Sequence, residues 1–562
     1  MADALTLVIR GGVVVDGTGA APLEADVGIA GNRIVRVGQI REAGTEEIDA
    51  RGHLVTPGFV DAHTHYDAQV MWANHLSASS SNGVTTALIG NCGVGFAPCN
   101  PEQRDMLVRL MEGVEDIPEP VPTEGLPWNW QTFPEYLDRL AARRFDIDVA
   151  TQVPHAALRV FVMGERGAAR EPASEADGEA MARLAAEGIQ AGALGFSTSR
   201  TLNHKTVDGR PTPTLDAGED ALLTIAKAIG KTGAGWLQVI CDFDDAIEPE
   251  FAMLRRLVSV SGRPMTTTVL ERDSKPQEWR RLLGMIAEAN TDGLPMTGMV
   301  LTRPTGIMLG FEISQNPFVD CPGWDEVGKL PFPARVAALR DPSLRARLLA
   351  EAPRDPSLKN RLRRWDRIFP LGDPPDYEPP PERSIGAEAR RRGVDPAAFA
   401  YDKLLENDGR TILYRPLSNY THGTLETVRE MMAHPNTLIS LGDGGAHVSI
   451  LCDASAMTYG LTHWTRDRAS GRFPLEWMIR RLTWDNASAL GLRDRGRVAV
   501  GQKADLNVID HGRLCLRTPE VVYDLPAGGR RLIQRADGYV ATYCRARSSR
   551  AKASRPETCP AG

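Results

Sequence analysis

Gly58-Phe59-Val60-Asp61-Ala62-His63-Thr64-His65-Tyr66-Asp67 is a short apolar run closed by two histidines one residue apart. Side chains alternate along a strand, so His63 and His65 leave the same face. At the C-terminal end of a barrel strand both imidazoles enter the mouth, where such folds keep their chemistry. Neutral imidazole is a good zinc ligand, and two on one strand make a pre-aligned half-site. A polar turn after a core strand can have the same spelling. The flanks favour the site: Pro57-Gly58 marks a tight entry, and Asp67 adds an oxygen ligand or an acceptor behind a ligand.

Working outward, apolar strands alternate with amphipathic helices from Phe59 onward, the signature of a parallel α/β fold. Strands are predicted near 59–63, 84–89, 148–153, 193–198, 236–240, 265–270, 298–302 and 437–441. Between them, stretches such as 175–189, 219–228, 251–260 and 277–289 carry apolar residues three and four apart, as helices do. Eight such units predict a TIM (β/α)8 barrel over 59–489. Residues 1–58 and 490–545 both show short Gly-punctuated strand patterns, and they are expected to form one composite β-sandwich domain from the two termini. A Pro- and Arg-rich stretch at about 310–410 interrupts the alternation and reads as a helical insertion over the barrel mouth. It repeats Asp-Pro-Ser-Leu at 341–344 and 355–358, each copy an N-cap followed by Pro at the first helical position. Residues 546–562 lack apolar periodicity and are expected to be a disordered tail.

The chain has 562 residues, 42% of them hydrophobic, and a net charge of -7. That excludes the basic character nucleic-acid binding calls for. No apolar run approaches the ~18 to 20 residues of a membrane span. No secretory leader is read at the N-terminus. Eight cysteines without framework spacing read as reduced thiols, so a cytoplasmic enzyme is expected.

Three segments carry a family resemblance. The His-x-His run resembles the first barrel strand of the amidohydrolase superfamily. Gly90-Asn91-Cys92-Gly93-Val94-Gly95-Phe96-Ala97-Pro98 resembles the metal-cysteine segment of its N-acyl-D-amino-acid deacylase (D-aminoacylase) branch. Leu441-Gly442-Asp443-Gly444-Gly445-Ala446-His447 is similar to that branch's eighth-strand aspartate loop. The resemblance implies a metal-dependent amidohydrolase that cleaves an amide C–N bond, plausibly of an N-acyl-D-amino acid. His63, His65, Cys92 and Asp443 would bind the metal, most simply one Zn2+. Asp443 would also be the catalytic base, taking a proton from water and returning it to the leaving amine.

The chain also departs from that branch, whose members hold metal with further histidines at the ends of strands five and six. Those ends here read Trp236-Leu237-Gln238-Val239-Ile240 and Met265-Thr266-Thr267-Thr268-Val269-Leu270, and no lysine closes strand four. His155, His204, His422 and His447 lie in loops at strand ends and could compensate, each with hydrogen bonding or capping as its plainer role. Arg200, His204, His422 and His447 are assigned to substrate contact, Arg200 as a two-point partner for a carboxylate. A cyclic amide or imide hydrolase, and a barrel that has kept only ligand binding, are the alternatives. The partner expected is a small-molecule amide, with the oligomeric state open.

Overall fold

A computed structural model describes residues 4–243 and 246–548. Its central sheet has eight parallel strands in chain order: β1 (Phe59–Asp61), β2 (Val84–Ile89), β3 (Asp148–Pro154), β4 (Gly195–Arg200), β5 (Trp236–Cys241), β6 (Met265–Thr268), β7 (Met296–Val300) and β8 (Thr437–Ile439). Each lies within a few residues of its predicted position. The strands are apolar on both faces because helices cover the outside and other side chains fill the inside. β1 and β8 share no ladder among the described residues. The ring closes just past their ends, where Asp443 N donates to His63 O (3.0 Å) and His65 N donates to Gly444 O (2.8 Å). Inside this seam Ala62 N donates to Ser440 Oγ at 2.7 Å, and Asn486 Nδ2 donates to both Val60 O and Ile439 O at 2.8 Å. Asp61 accepts from Ser440 Oγ (2.8 Å) and His63 N (3.1 Å). Gly442 passes so close to Asp61 that a Cβ there would sit 2.1 Å from its Oδ2, so glycine is required.

The termini meet as the composite domain requires. Leu54–Pro57 pairs in parallel with Leu7–Val14 on one side and antiparallel with Leu506–Ile509 on the other. The result is one mixed sheet of eight strands with Leu7, Ile9, Val27, Val55, Leu506 and Val508 in its core. Asp148, opening β3, fastens this domain to the barrel: it pairs with Arg495 (2.6 Å), Arg545 (2.5 Å) and Lys503. Asp148, Asp505 and Cys544 stand together as metal ligands might, but these three cations already fill the space.

The insertion is helical as expected, yet it hangs on a three-stranded antiparallel sheet of Gly306–Leu309, Leu413–Pro416 and Phe369–Pro370. Both Asp-Pro-Ser-Leu copies start helices, with Asp341 capping the N–H of Ser343 and Leu344, and Asp355 capping Ser357. Its own core includes Phe311, Phe318, Leu339, Tyr401 and Leu404. The C-terminal segment also reaches further than two separate domains would imply. Its hairpin Glu520–Leu525/Gly529–Ile533 extends to the loop after β8, where Leu532 N donates to Val448 O at 2.6 Å. Of the expected tail, residues from 549 on lie outside the described part. No helix among the described residues is long and apolar enough to cross a membrane.

Candidate metal centre

The strand ends bring the four predicted ligands together. His63 and His65 follow β1 with their rings 5.2 Å apart. His63 Nε2 lies 3.3 Å from Cys92 Sγ and 3.5 Å from Asp443 Oδ1, and His65 Nε2 lies 3.8 Å from the same oxygen. The ligand atoms of His63, His65 and Cys92 are all within 4.8 Å of one another. Around a tetrahedral zinc, with bonds of about 2.0–2.3 Å, ligand atoms stand roughly 3.3–3.8 Å apart. The spacing fits.

Cys92 is aimed by a strained, well-braced turn. Gly90 (φ 77°) passes within Cβ-clash distance of Gln152 O, and Cys92 itself has φ 55°. Asn91 Nδ2 donates to Thr64 O and Leu88 O, Gln152 Nε2 donates to Asn91 Oδ1, and Gly93 N donates to Ser197 Oγ. Gln238 on β5 accepts Cys92 N through Oε1 at 2.9 Å. The strand-five position thus supports a ligand from behind. Leu441, Asp443 and His447 also adopt left-handed φ (80°, 47° and 47°), uncommon for residues with a Cβ.

The electrostatics call for a cation. Asp67 and Glu115 are buried around the histidines and the thiol, Asp443 is partly buried with its side chain 15% exposed, and Asp67 Oδ2, Glu115 Oε2 and Asp443 Oδ1 have no hydrogen-bond partner among the described residues. No lysine or arginine in that part pairs with any of them; the close partners of Glu115 and Asp443 are His63, His65 and His447. Burial pushes the Asp443 carboxyl well up, with Asp453 and Glu115 adding repulsion, and raises Cys92 well above its usual value. Burial also lifts Asp67 to about 7 and Glu115 to about 8. The imidazoles move the other way: burial brings His63 and His447 down to about 3 and His204 to about 4. Neutral imidazoles beside carboxylates and a thiol starved of counter-charge are the donor set of a divalent ion. A small cavity of about 30 Å³ adjoins the Asp443 loop; Gln69, Cys452, Arg531 and Gln534 help to line it, and His63, His65 and Cys92 do not.

The remaining site residues divide. His447, on the Asp443 loop, lies 3.7 Å from Glu115 Oε2, and His204 bonds Ser199 Oγ through Nδ1 at 2.9 Å. The charge of either would disfavour protonation of His65, so both belong to the centre's surroundings. Arg200 does not match its assignment. It forms a two-point ion pair with Glu250 (2.7 and 2.8 Å) and donates to Ala217 O, so the carboxylate it meets is the protein's own. His422 is half exposed, 3.5 Å from Glu271, in a loop organised by that buried acid. His155 is buried against Thr198 Oγ1 at 2.8 Å. Glu115 went unnoticed in the sequence, although it falls in the apolar stripe of Leu107, Val108 and Met111 on helix α1 (Arg104–Glu115), where a charge is out of place.

Comparison with known proteins agrees with this geometry. The model of the amidohydrolase family matches residues 46–547. The chain belongs to the amidohydrolase family. This amidohydrolase is 28% identical over 508 residues to an N-acyl-D-aspartate deacylase of Alcaligenes xylosoxydans xylosoxydans, covering 90% of this chain and 85% of that one. A structure of D-aminoacylase, a protein with a binuclear metal centre, superimposes with a TM-score of 0.64 at 22% identity, covering 97% of this chain and 96% of that one. The N-acyl-D-glutamate deacylase of Bordetella bronchiseptica, in complex with zinc and a phosphonate inhibitor, gives a TM-score of 0.64 at 20% identity with the same coverage. The barrel and the mixed terminal sheet are therefore those of the D-aminoacylase fold.

Two expected results arise here. Cys92→Ser keeps the volume of the side chain and removes the soft ligand, so zinc affinity should fall at least about tenfold while the far-UV spectrum is unchanged. Equal zinc affinity in Cys92→Ser and wild type would make Cys92 a core residue. The second concerns pH. Asp67 and Glu115 titrate at about 7 and about 8 when folded, above their unfolded values near 4. The folded state therefore binds extra protons in that range, and stability falls as pH rises through it. The depressed histidines act oppositely, but only below about pH 6.5. Chelator-treated protein should thus lose on the order of 1–2 kcal/mol between pH 6.5 and 8, and saturating zinc should abolish the loss. Urea midpoints at the two pH values provide the check.

Proposed function

We propose that this amidohydrolase is a zinc-dependent deacylase of N-acyl-D-amino acids. The observation that carries the reading is the single group formed by buried His63, His65 and Cys92 with partly buried Asp443, from strands one, two and eight, with carboxylates that lack counter-cations. His63, His65 and Cys92 would hold one ion, with Asp443 as its weaker fourth partner. When bound, zinc lowers the pKa of water to near neutrality and polarises a carbonyl. Asp443 Oδ1 lies within 4 Å of both imidazoles, which supports its role as the group that accepts the water proton and delivers it to the leaving nitrogen. The flanking imidazoles, kept neutral by burial, offer lone pairs rather than competing for that proton. The D-amino-acid class comes from the deacylases to which the chain is similar. One ion is favoured because β5 and β6 present Gln238 and Thr266–Thr268, and no histidine, beside the cluster.

The test measures zinc content alongside release of free amino acid from N-acetyl-D- and N-acetyl-L-amino acids, before and after chelation. Expected are one zinc per chain, turnover of D-substrates, and recovery on adding zinc back. Zinc-loaded protein that opens cyclic imides and leaves every N-acyl amino acid intact would reject the deacylase reading.

A further inference from the structure

We infer that Glu115 is the positioning residue of this metal centre: its carboxylate fixes the proton of His65 on Nδ1, so that His65 presents Nε2 to the cation. The inference rests on the metal-centre reading above and adds a residue outside its ligand set. Glu115 is 1% exposed, the last residue of α1, and its following Asp116 turns into the left-handed region (φ 53°). A carboxylate is poorly placed at a helix C-terminus, where the helix dipole is negative, and poorly placed in an apolar stripe. No arginine or lysine among the described residues offsets either penalty, which points to a role other than stability.

Its neighbours supply that role. Oε1 lies 3.2 Å from His65 Nδ1, and Oε2 lies 3.7 Å from His447 Nε2. The contact with His65 falls short of hydrogen-bond geometry; neither His65 Nδ1 nor Glu115 Oε2 has a hydrogen bond among the described residues, so no other group occupies His65 Nδ1. His65 turns its other nitrogen to Asp443, on the side shared with His63 and Cys92. An imidazole coordinates only through a nitrogen free of its proton, and the partner of the opposite nitrogen determines which one that is. Carboxylates behind metal-bound histidines commonly perform this service, and losing them costs about 10–100-fold in affinity. His63 differs, since its Nδ1 has no partner among the described residues. Orientation of the pair therefore falls on Glu115.

The experiment compares wild type, Glu115→Gln and Glu115→Ala for zinc affinity, by competition with a chromophoric chelator, for the visible spectrum of the cobalt(II) form, and for the urea midpoint of metal-free protein. Glu115→Ala should bind zinc about 10–100-fold more weakly. Glu115→Gln is isosteric and can still accept from Nδ1–H, so it should fall between the two. Both should shift the cobalt spectrum, and neither should lower the metal-free midpoint. Should Glu115→Ala fail to fold, Glu115→Gln carries the comparison. Unchanged zinc affinity and cobalt spectrum in folded variants would overturn the inference, as would a lowered metal-free midpoint with zinc affinity intact. Wild-type protein that takes up no zinc fails separately, because it removes the metal-centre reading and this inference with it.

Discussion

His63→Ala should abolish stoichiometric zinc binding and reduce deacylation by a factor on the order of 10³ or more, because metal activation supplies several kcal/mol of transition-state stabilisation. His63 is the hub: its Nε2 is within 3.5 Å of both Cys92 Sγ and Asp443 Oδ1, so its loss disconnects ligands from three strands. The fold should survive, since His63 O, which accepts Asp443 N at the seam, belongs to the backbone and remains. Metal analysis, single-turnover assay and circular dichroism together make the check. A metal-free His63→Ala enzyme with undiminished turnover would eliminate metal-assisted hydrolysis altogether.

The largest effect on stability is expected far from that site. Asp148→Asn should lower stability by about 3 kcal/mol, because it leaves buried cations without their main partner. Lys503 and Arg495 have side chains 7% and 11% exposed; both would keep Asp505, at 3.7 and 3.8 Å, and Arg495 would also keep the half-exposed Asp494 at 3.1 Å. The urea midpoint should drop with an unchanged slope, and zinc affinity should stay as in wild type. An unshifted midpoint would mean that solvent or Asp505 compensates the two cations fully.

Much of this molecule is legible in its sequence because the responsible patterns are local. The eight barrel strands are apolar runs separated by amphipathic helices. His63, His65, Cys92 and Asp443 each sit where a run ends in a turn, so topology alone collects them at one rim. Contacts chosen by distant residues are not legible. Arg200 ends its strand as a substrate-binding arginine would, and only the fold brings Glu250 to it, fifty positions later. His422 likewise looks like a rim histidine until Glu271 organises its loop. Glu115 left a trace, a charge among apolar positions at helical spacing. An acid on a helix is so often solvated that the trace gains meaning only once His65 and His447 lie beside it. Gln238 shows the reverse: read as a missing ligand, it is the hydrogen-bond acceptor that braces Cys92.

The seam between the first and eighth strands also sets an order of events during synthesis. Ala62 and Ser440, which bond across it, are 378 positions apart. A ribosome adds about 5–20 residues per second, so His63, His65 and Cys92 exist for on the order of half a minute before Asp443 is made. Throughout that interval the nascent chain offers two imidazoles and a thiol with no carboxylate to complete them. A truncated product lacking the last barrel strand keeps this unfinished clasp. The complete set of four would therefore exist only once translation had reached the far side of the barrel and its two ends had met.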